Sequence, residues 1–126
     1  FVKEADEING AMPDYVSSRL IDLAKPVPGS YLAILGVAYK SGISDIRESP
    51  AEDVARSLQS QGFKVLWSDP LVKSFHDYQV LADQKLAGAI VVTAQEGLAV
   101  AELAKSGVQI LDCTGAYKAV KGVEQL

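Results

Sequence analysis

Apolar residues Ile8, Met12, Val16, Leu20 and Leu23 recur at spacings of three and four, the period of an amphipathic helix. Gly10 and Pro13 interrupt that pattern, so a bend or a fresh start is expected near Ala11. Pro26, Val27, Pro28 and Gly29 then make a stiff connection. From Tyr31 to Gly36 the pattern changes to a short apolar run without polar alternation, which suits a strand buried on both faces. A polar loop with glycine covers Tyr39 to Glu48. Ser49-Pro50-Ala51-Glu52 predicts a helix start, with Ser49 as N-cap, Pro50 at the first helical position and Glu52 closing a capping box. Val54, Ala55 and Leu58 give that helix its apolar face, and Gly62 stops it.

A second strand is predicted over Phe63 to Trp67, closed by Asp69-Pro70. Leu71 to Lys85 carries no clear period and room for one short helix. A third buried strand runs from Ala89 to Thr93, a helix covers Leu98 to Lys105, and a fourth strand spans Val108 to Asp112. Strands alternating with helices at this spacing predict an α/β fold. The expected form is a Rossmann-like parallel sheet of about four strands, with helices on both faces and right-handed crossovers. The first strand should be central, in an order near 2-1-3-4, preceded by the end of an interdomain helix.

Size and charge narrow the function. At 126 residues and 48% hydrophobic, the chain suits one compact domain. It is too short for a dinucleotide domain, a substrate domain and a linker together. It opens inside a helical pattern, as though continued from a longer protein. The net charge of −4 provides no basic surface for nucleic acid or an acidic membrane, so neither is an expected partner. An anionic ligand needs a local site. Ala87 to Ala94, among the longest apolar stretches, is far short of a bilayer span. The single cysteine, Cys113, forms no internal disulfide, and a reducing, cytoplasmic location is expected. One histidine and one cysteine make no convincing metal site.

In open α/β sheets, ligands bind beyond the carboxyl ends of the strands, where strand order reverses. The segments expected there are Gly36 to Arg47, Asp69-Pro70, Thr93 to Glu96 and Asp112 to Lys118. The first carries Tyr39, Lys40 and Arg47 into a helix start, whose free N–H groups favour phosphate. An aromatic ring, an ammonium and a guanidinium fork together suit a nucleoside diphosphate. The competing reading makes Lys40 and Arg47 solvated, with Arg47 paired to Asp45 or Glu48, and spacing alone favours it. Gly36 and Gly42 do not form the G-x-G-x-x-G dinucleotide pattern. Asp69 stands where a ribose-binding carboxylate often sits, but without the dinucleotide glycines it reads as a turn aspartate before Pro70. Cys113 reads as a half-buried thiol, His76 as a surface residue, and Tyr15, Tyr78 and Tyr117 as core or interface aromatics.

The block Ile34-Leu35-Gly36-Val37-Ala38-Tyr39-Lys40, followed by Asp45-Ile46-Arg47-Glu48-Ser49-Pro50-Ala51, resembles the C-terminal domain signature of the UDP-glucose/GDP-mannose dehydrogenase family. Gly62-Phe63-Lys64-Val65 leading to Asp69-Pro70 adds to the likeness, which covers nearly the whole chain. The resemblance implies an NAD-dependent, two-step oxidation of a UDP-sugar primary alcohol to a carboxylate by the full-length parent. It implies that residues 1–28 end a dimerisation helix and linker, and that residues 29–126 form the UDP-sugar-binding C-terminal domain. NAD is then bound mainly by an N-terminal domain of the same protein, and the parent is a homodimer or larger. Tyr39 and Lys40 match positions that contact the UDP-sugar, and Arg47 matches an arginine on the NAD side of the cleft. Phosphate is assigned to Lys40 and the Ser49 helix end. No catalytic residue of the family falls in this chain, so it should catalyse nothing alone.

Glu7-Ile8-Asn9-Gly10-Ala11-Met12-Pro13 and Asp112-Cys113-Thr114-Gly115 are similar to stretches of UDP-N-acetylhexosamine dehydrogenases. Thr114 stands where that subgroup has a basic residue that contacts substrate, and Lys118 is the nearest cation. The alternatives are the C-terminal domain of a UDP-glucose 6-dehydrogenase, and a stand-alone nucleotide-binding or regulatory module. A purely structural dimer cap leaves Tyr39, Lys40 and Arg47 without a purpose. A phosphoacceptor receiver domain is rejected, because it needs acidic residues where Gly36-Val37 and Thr93 stand.

Overall fold

The structure is a computed structural model and describes residues 12–126. Helix α1 spans Met12–Ala24, α2 Ala51–Ser60 and α3 Val100–Lys105. The strands are β1 Tyr31–Leu35, β2 Lys64–Ser68, β3 Gln79–Val80, β4 Leu86–Val91, β5 Ile110–Asp112 and β6 Val123–Gln125. They form one parallel sheet in the order β3-β2-β1-β4-β5-β6. The four longer-range strands foreseen in the sequence are β1, β2, β4 and β5, in the expected 2-1-3-4 order with β1 inside. Two short edge strands raise the count to six. The expected bend near Ala11, with Ile8 and Gly10, lies outside the described residues.

Burial explains the apolar runs. Along β1, Leu32 and Ile34 face α1 and α2, while Ala33 and Leu35 face the opposite side. Val65 and Trp67 of β2 and Ile90 of β4 share the first face, packed against Val16, Leu20, Val54 and Leu58. Leu66, Ala89, Val91 and Ile110 share the second, closed by Val100 of α3. Leu20, Leu32, Ile34, Leu58 and Ile90 are fully buried, each contributing roughly 1.5–3 kcal/mol of transfer free energy. Gly88 lets α1 lie close to β4: a Cβ there would stand 2.9 Å from the Ala24 Cβ.

The start of α2 differs from the prediction. Pro50 is the cap residue, and the Ser49 hydroxyl accepts the Ala51 N–H at 3.2 Å without capping further into the helix. The Ser49 N–H donates to the Ile46 carbonyl, so no capping box forms. Glu52 turns outward instead, to Arg56 at 3.1 Å and to His76 at 3.5 Å. The segment after β2 contains no helix. It is anchored by Phe75, 1% exposed, edge-on to Trp67 and stacked on Tyr78.

Candidate functional site

Chain direction across the sheet reverses at β1. From β1 the chain steps outward through β2 to β3, then crosses to β4 on the other side. A crevice therefore lies beyond the carboxyl ends of β1 and β4. Gly36 makes the first turn at φ 79°, and a Cβ on it would fall 1.7 Å from the Thr93 carbonyl oxygen. Only glycine lets the two loops meet there. Thr93 Oγ1 donates to the Ala38 carbonyl at 2.6 Å, and the Ser41 hydroxyl donates to the Ala94 carbonyl. Buried Gln95 accepts the Gly42 N–H on its side-chain oxygen at 2.7 Å and donates to the Ile43 carbonyl at 3.0 Å.

The end of β2 supplies Asp69, 6% exposed. Its Oδ2 accepts the N–H groups of Val37 at 2.9 Å and Ala38 at 3.2 Å. Its Oδ1 accepts the Leu71 N–H at 3.0 Å, and Gln95 Nε2 lies 3.3 Å from both oxygens. Asp69 is thus a turn aspartate in its bond to Leu71 and a long-range tether in the others. The N–H groups that a dinucleotide pyrophosphate would use after β1 are already bonded to a carboxylate. This turn therefore offers a dinucleotide pyrophosphate neither of those two N–H donors.

Tyr39, Lys40 and Arg47 all stand exposed on the β1–α2 loop. The Tyr39 N–H donates to the Asp45 carbonyl at 2.7 Å, which pinches the loop. Arg47 forks onto Asp45, with Nε 3.0 Å from Oδ1 and Nη2 2.7 Å from Oδ2. Of the competing sequence readings, the Arg47–Asp45 pair is the arrangement present. Hydrogen bonds from the Arg47 side chain and backbone hold the Asp45 carboxyl at about 2, and Asp45 in turn raises the Arg47 value.

Two clefts flank this loop. The first lies at the start of α2 and gathers Tyr39, Arg47 and Ser49 with His76 and the carboxylates of Glu48 and Glu52. Glu48 and His76 both hold left-handed backbone, at φ 61° and 51°. The second lies over the β1–β4 crevice, between Ser41, Gly42, Gln95, Gly97 and Tyr117. Lys40 lines neither; its chain neighbours Tyr39 and Ser41 line one each. Tyr117 donates its hydroxyl to the Gln95 carbonyl at 3.2 Å.

Thr114 sits on the turn after β5, two residues before the Ala116 rim of the second cleft. Its hydroxyl donates to buried Asp112 at 2.7 Å and accepts the Ala116 N–H at 3.1 Å. Lys118 Cε passes 3.4 Å from where a Gly115 Cβ would be. The structure thus brings Tyr39, Arg47 and Ser49 together, leaves Lys40 on the divide, and keeps Thr114 apart. The Cys113 thiol is pushed up to about 12, first by burial and then by the Asp112 charge, which leaves it unreactive at neutral pH.

Among the described residues, no three His, Cys, Asp or Glu side chains are grouped to hold a metal. None of the described helices is long and apolar enough to cross a membrane.

Residues 33–119 match the UDP binding domain of the UDP-glucose/GDP-mannose dehydrogenase family. A UDP-N-acetyl-D-mannosamine dehydrogenase of Methanocaldococcus jannaschii is 34% identical over 91 residues, 72% of this chain and 21% of that protein. The UDP-N-acetyl-mannosamine dehydrogenase structure from Staphylococcus aureus superposes with a TM-score of 0.70 at 25% identity, over 94% of this chain and 31% of that one. A UDP-glucose dehydrogenase from Pyrobaculum islandicum also gives 0.70 at 25% identity, over 90% and 29%. The chain spans about a fifth of the length of the curated relative and under a third of these solved chains. With the matched span running from β1 through the turn after β5, across both clefts, the chain belongs to the UDP-glucose/GDP-mannose dehydrogenase family, and its parallel sheet is that family's UDP-binding domain.

Proposed function

We propose that residues 29–126 bind the UDP moiety of a nucleotide sugar for an NAD-dependent 6-dehydrogenase, which oxidises the sugar C6 alcohol to a carboxylate. The observation that carries this reading is the family match across the loops at the β1–β4 crevice. NAD is assigned to a separate N-terminal domain, on the far side of α1 and the linker of residues 26–29. Arg47 is assigned to the contact with that domain. A parent of this kind works as a homodimer or larger, in the cytoplasm.

Within this domain, Tyr39 presents a half-exposed ring suited to stacking on a base. Lys40 is the cation for the diphosphate, since the Arg47 fork is engaged by Asp45. Ser49 adds a hydroxyl at the helix end, although Glu52 and Asp53 in the first turn limit how much negative charge that end attracts. Thr114 contributes a neutral contact where relatives are expected to place a cation, with Lys118 close by. A UDP-N-acetylhexosamine is the favoured substrate, because the Methanocaldococcus jannaschii relative bears that specificity in its name. UDP-glucose is the alternative, supported by the equal superposition of the Pyrobaculum islandicum structure.

Titration of the 126-residue chain with UDP, followed by backbone amide shifts, tests the site. Lys40→Ala is expected to weaken UDP binding about tenfold, the value of one charge-assisted contact. Unchanged affinity in Lys40→Ala would overturn the phosphate assignment. Competition between UDP-N-acetylglucosamine, UDP-N-acetylmannosamine and UDP-glucose for the full-length parent separates the two substrate readings.

A further inference from the structure

We propose that Asp69 is a built-in anion, occupying the phosphate cradle at the β1–β4 switch point and thereby positioning the Tyr39–Lys40 loop. After a switch-point strand, exposed N–H groups are where an open parallel sheet holds phosphate. In this chain the left-handed turn at Gly36 delivers two successive N–H groups, of Val37 and Ala38, to one point. A single oxygen of Asp69 receives both. A carboxylate resembles one edge of a phosphate, with two oxygens that accept several hydrogen bonds. A turn aspartate needs only its bond to Leu71; the bonds to Val37 and Ala38 span more than thirty residues and serve another purpose.

Gln95 extends the device. Its side-chain oxygen takes the Gly42 N–H, and its amino group divides between the Ile43 carbonyl and the Asp69 carboxylate. The reverse orientation would set its amino group against an N–H and its oxygen against a carboxylate. The amide is therefore fixed in one sense. Asp69 holds the chain at residues 37 and 38, and Gln95 holds it at 42 and 43. Tyr39 and Lys40 lie between the two anchors. Asp69 is a positioning residue for the UDP site, filling the N–H cradle so that the diphosphate is left to Lys40.

The role of Asp69 in UDP affinity rests on the function proposed above; the occupied cradle does not. Amide-resolved NMR of the chain separates them. In the wild type, millimolar pyrophosphate should leave the slow amide exchange of Val37 and Ala38 unchanged even where the Lys40 amide shifts, and loss of that protection at both would overturn the proposal. Asp69→Ala opens the cradle, so formate should give saturable shifts at Val37, Ala38 and Leu71. Formate should also return the Tyr39 and Lys40 amides to their wild-type positions. A folded Asp69→Ala variant that ignores formate would refute the built-in anion.

Asp69→Asn keeps the shape and removes the charge, which guards against failure of the alanine variant to fold. Amide exchange at Val37 and Ala38 should then rise about tenfold or more, while Ala33 and Ile34 stay protected. Unchanged protection would overturn the proposal. UDP affinity in Asp69→Ala should fall about tenfold and recover in formate. If the wild type binds no UDP while formate still fills the variant, the UDP reading fails and the built-in anion stands.

Discussion

Replacing Gly36 with alanine tests whether β1 and β4 end as described. The φ of 79° costs an L-residue about 1–2 kcal/mol. The new methyl would stand 1.7 Å from the Thr93 carbonyl oxygen and 2.7 Å from its carbon. That carbonyl must retreat by an ångström or more, and it belongs to backbone, which gives way poorly. Overpacking of this kind costs about 1–3 kcal/mol. Retreat also strains the Thr93 Oγ1 bond to Ala38 and the neighbouring Val92 N–H bond to Leu35, about 0.5–1.5 kcal/mol for one such bond lost. The total is about 3–6 kcal/mol, a large share of the roughly 5–15 kcal/mol that holds a domain folded. Gly62→Ala is the control: its φ is 94°, but nothing lies within 4 Å of the added carbon, so only the strain of about 1–2 kcal/mol applies. Urea unfolding followed through Trp67, the single tryptophan, measures both. A difference between the two variants below about 1 kcal/mol would mean that the strand ends do not meet in this way.

Two further outcomes concern titration. The Asp45 carboxyl sits at about 2 in the fold against an ordinary 3.8, so its charged pairing with Arg47 is complete above pH 4 and is lost as pH falls towards 2; an acid titration of the Arg47 Nε–H resonance should show loss in that window, and Asp45→Asn should abolish the transition. The Cys113 thiol is raised from 9.0 to about 12, so at pH 8 its thiolate is about a thousandfold scarcer than in an unfolded chain. Thiol-reagent kinetics before and after denaturation should show slower reaction of the folded protein, offset in part because a more basic thiolate is the better nucleophile, and equally rapid reaction of the folded protein would contradict it.

What could be read from the sequence follows from where burial leaves a pattern. β1 and β4 are buried on both faces, and their apolar runs are unmistakable. β3 and β6 are two- and three-residue edges that are exposed or half-buried, held by backbone pairing that has no side-chain period. The segment after β2 has no sequence period because it packs through the Trp67, Phe75 and Tyr78 rings in irregular backbone. At α2, Ser49 and Glu52 met the composition of a capping box, yet the hydroxyl bonded one residue short and Glu52 found Arg56 and His76 instead. Tyr39, Lys40 and Arg47 were recognisable because they fall in one short loop. Asp69 carried a positional signal at the end of β2, but its bonds to Val37 and Ala38 depend on how two loops fold together. Gln95 falls in the Thr93 to Glu96 segment expected at the same edge, but a glutamine in a loop acquires its role only when Gly42, Ile43 and Asp69 surround it.

Helix α1 bears on how this domain would move as part of a larger protein. It is fastened at several points along its 13 residues. Ser57 of α2 donates to Asp14 at 2.7 Å, Arg19 reaches the Gln125 carbonyl of β6 at 3.2 Å, and Leu20 with Ala24 presses on Gly88 of β4. A beam about 20 Å long, bolted at three heights, has no hinge within it. Torque applied at the Met12 end would pass straight into the sheet, and the β1–β4 crevice would swing with the helix axis as one lever.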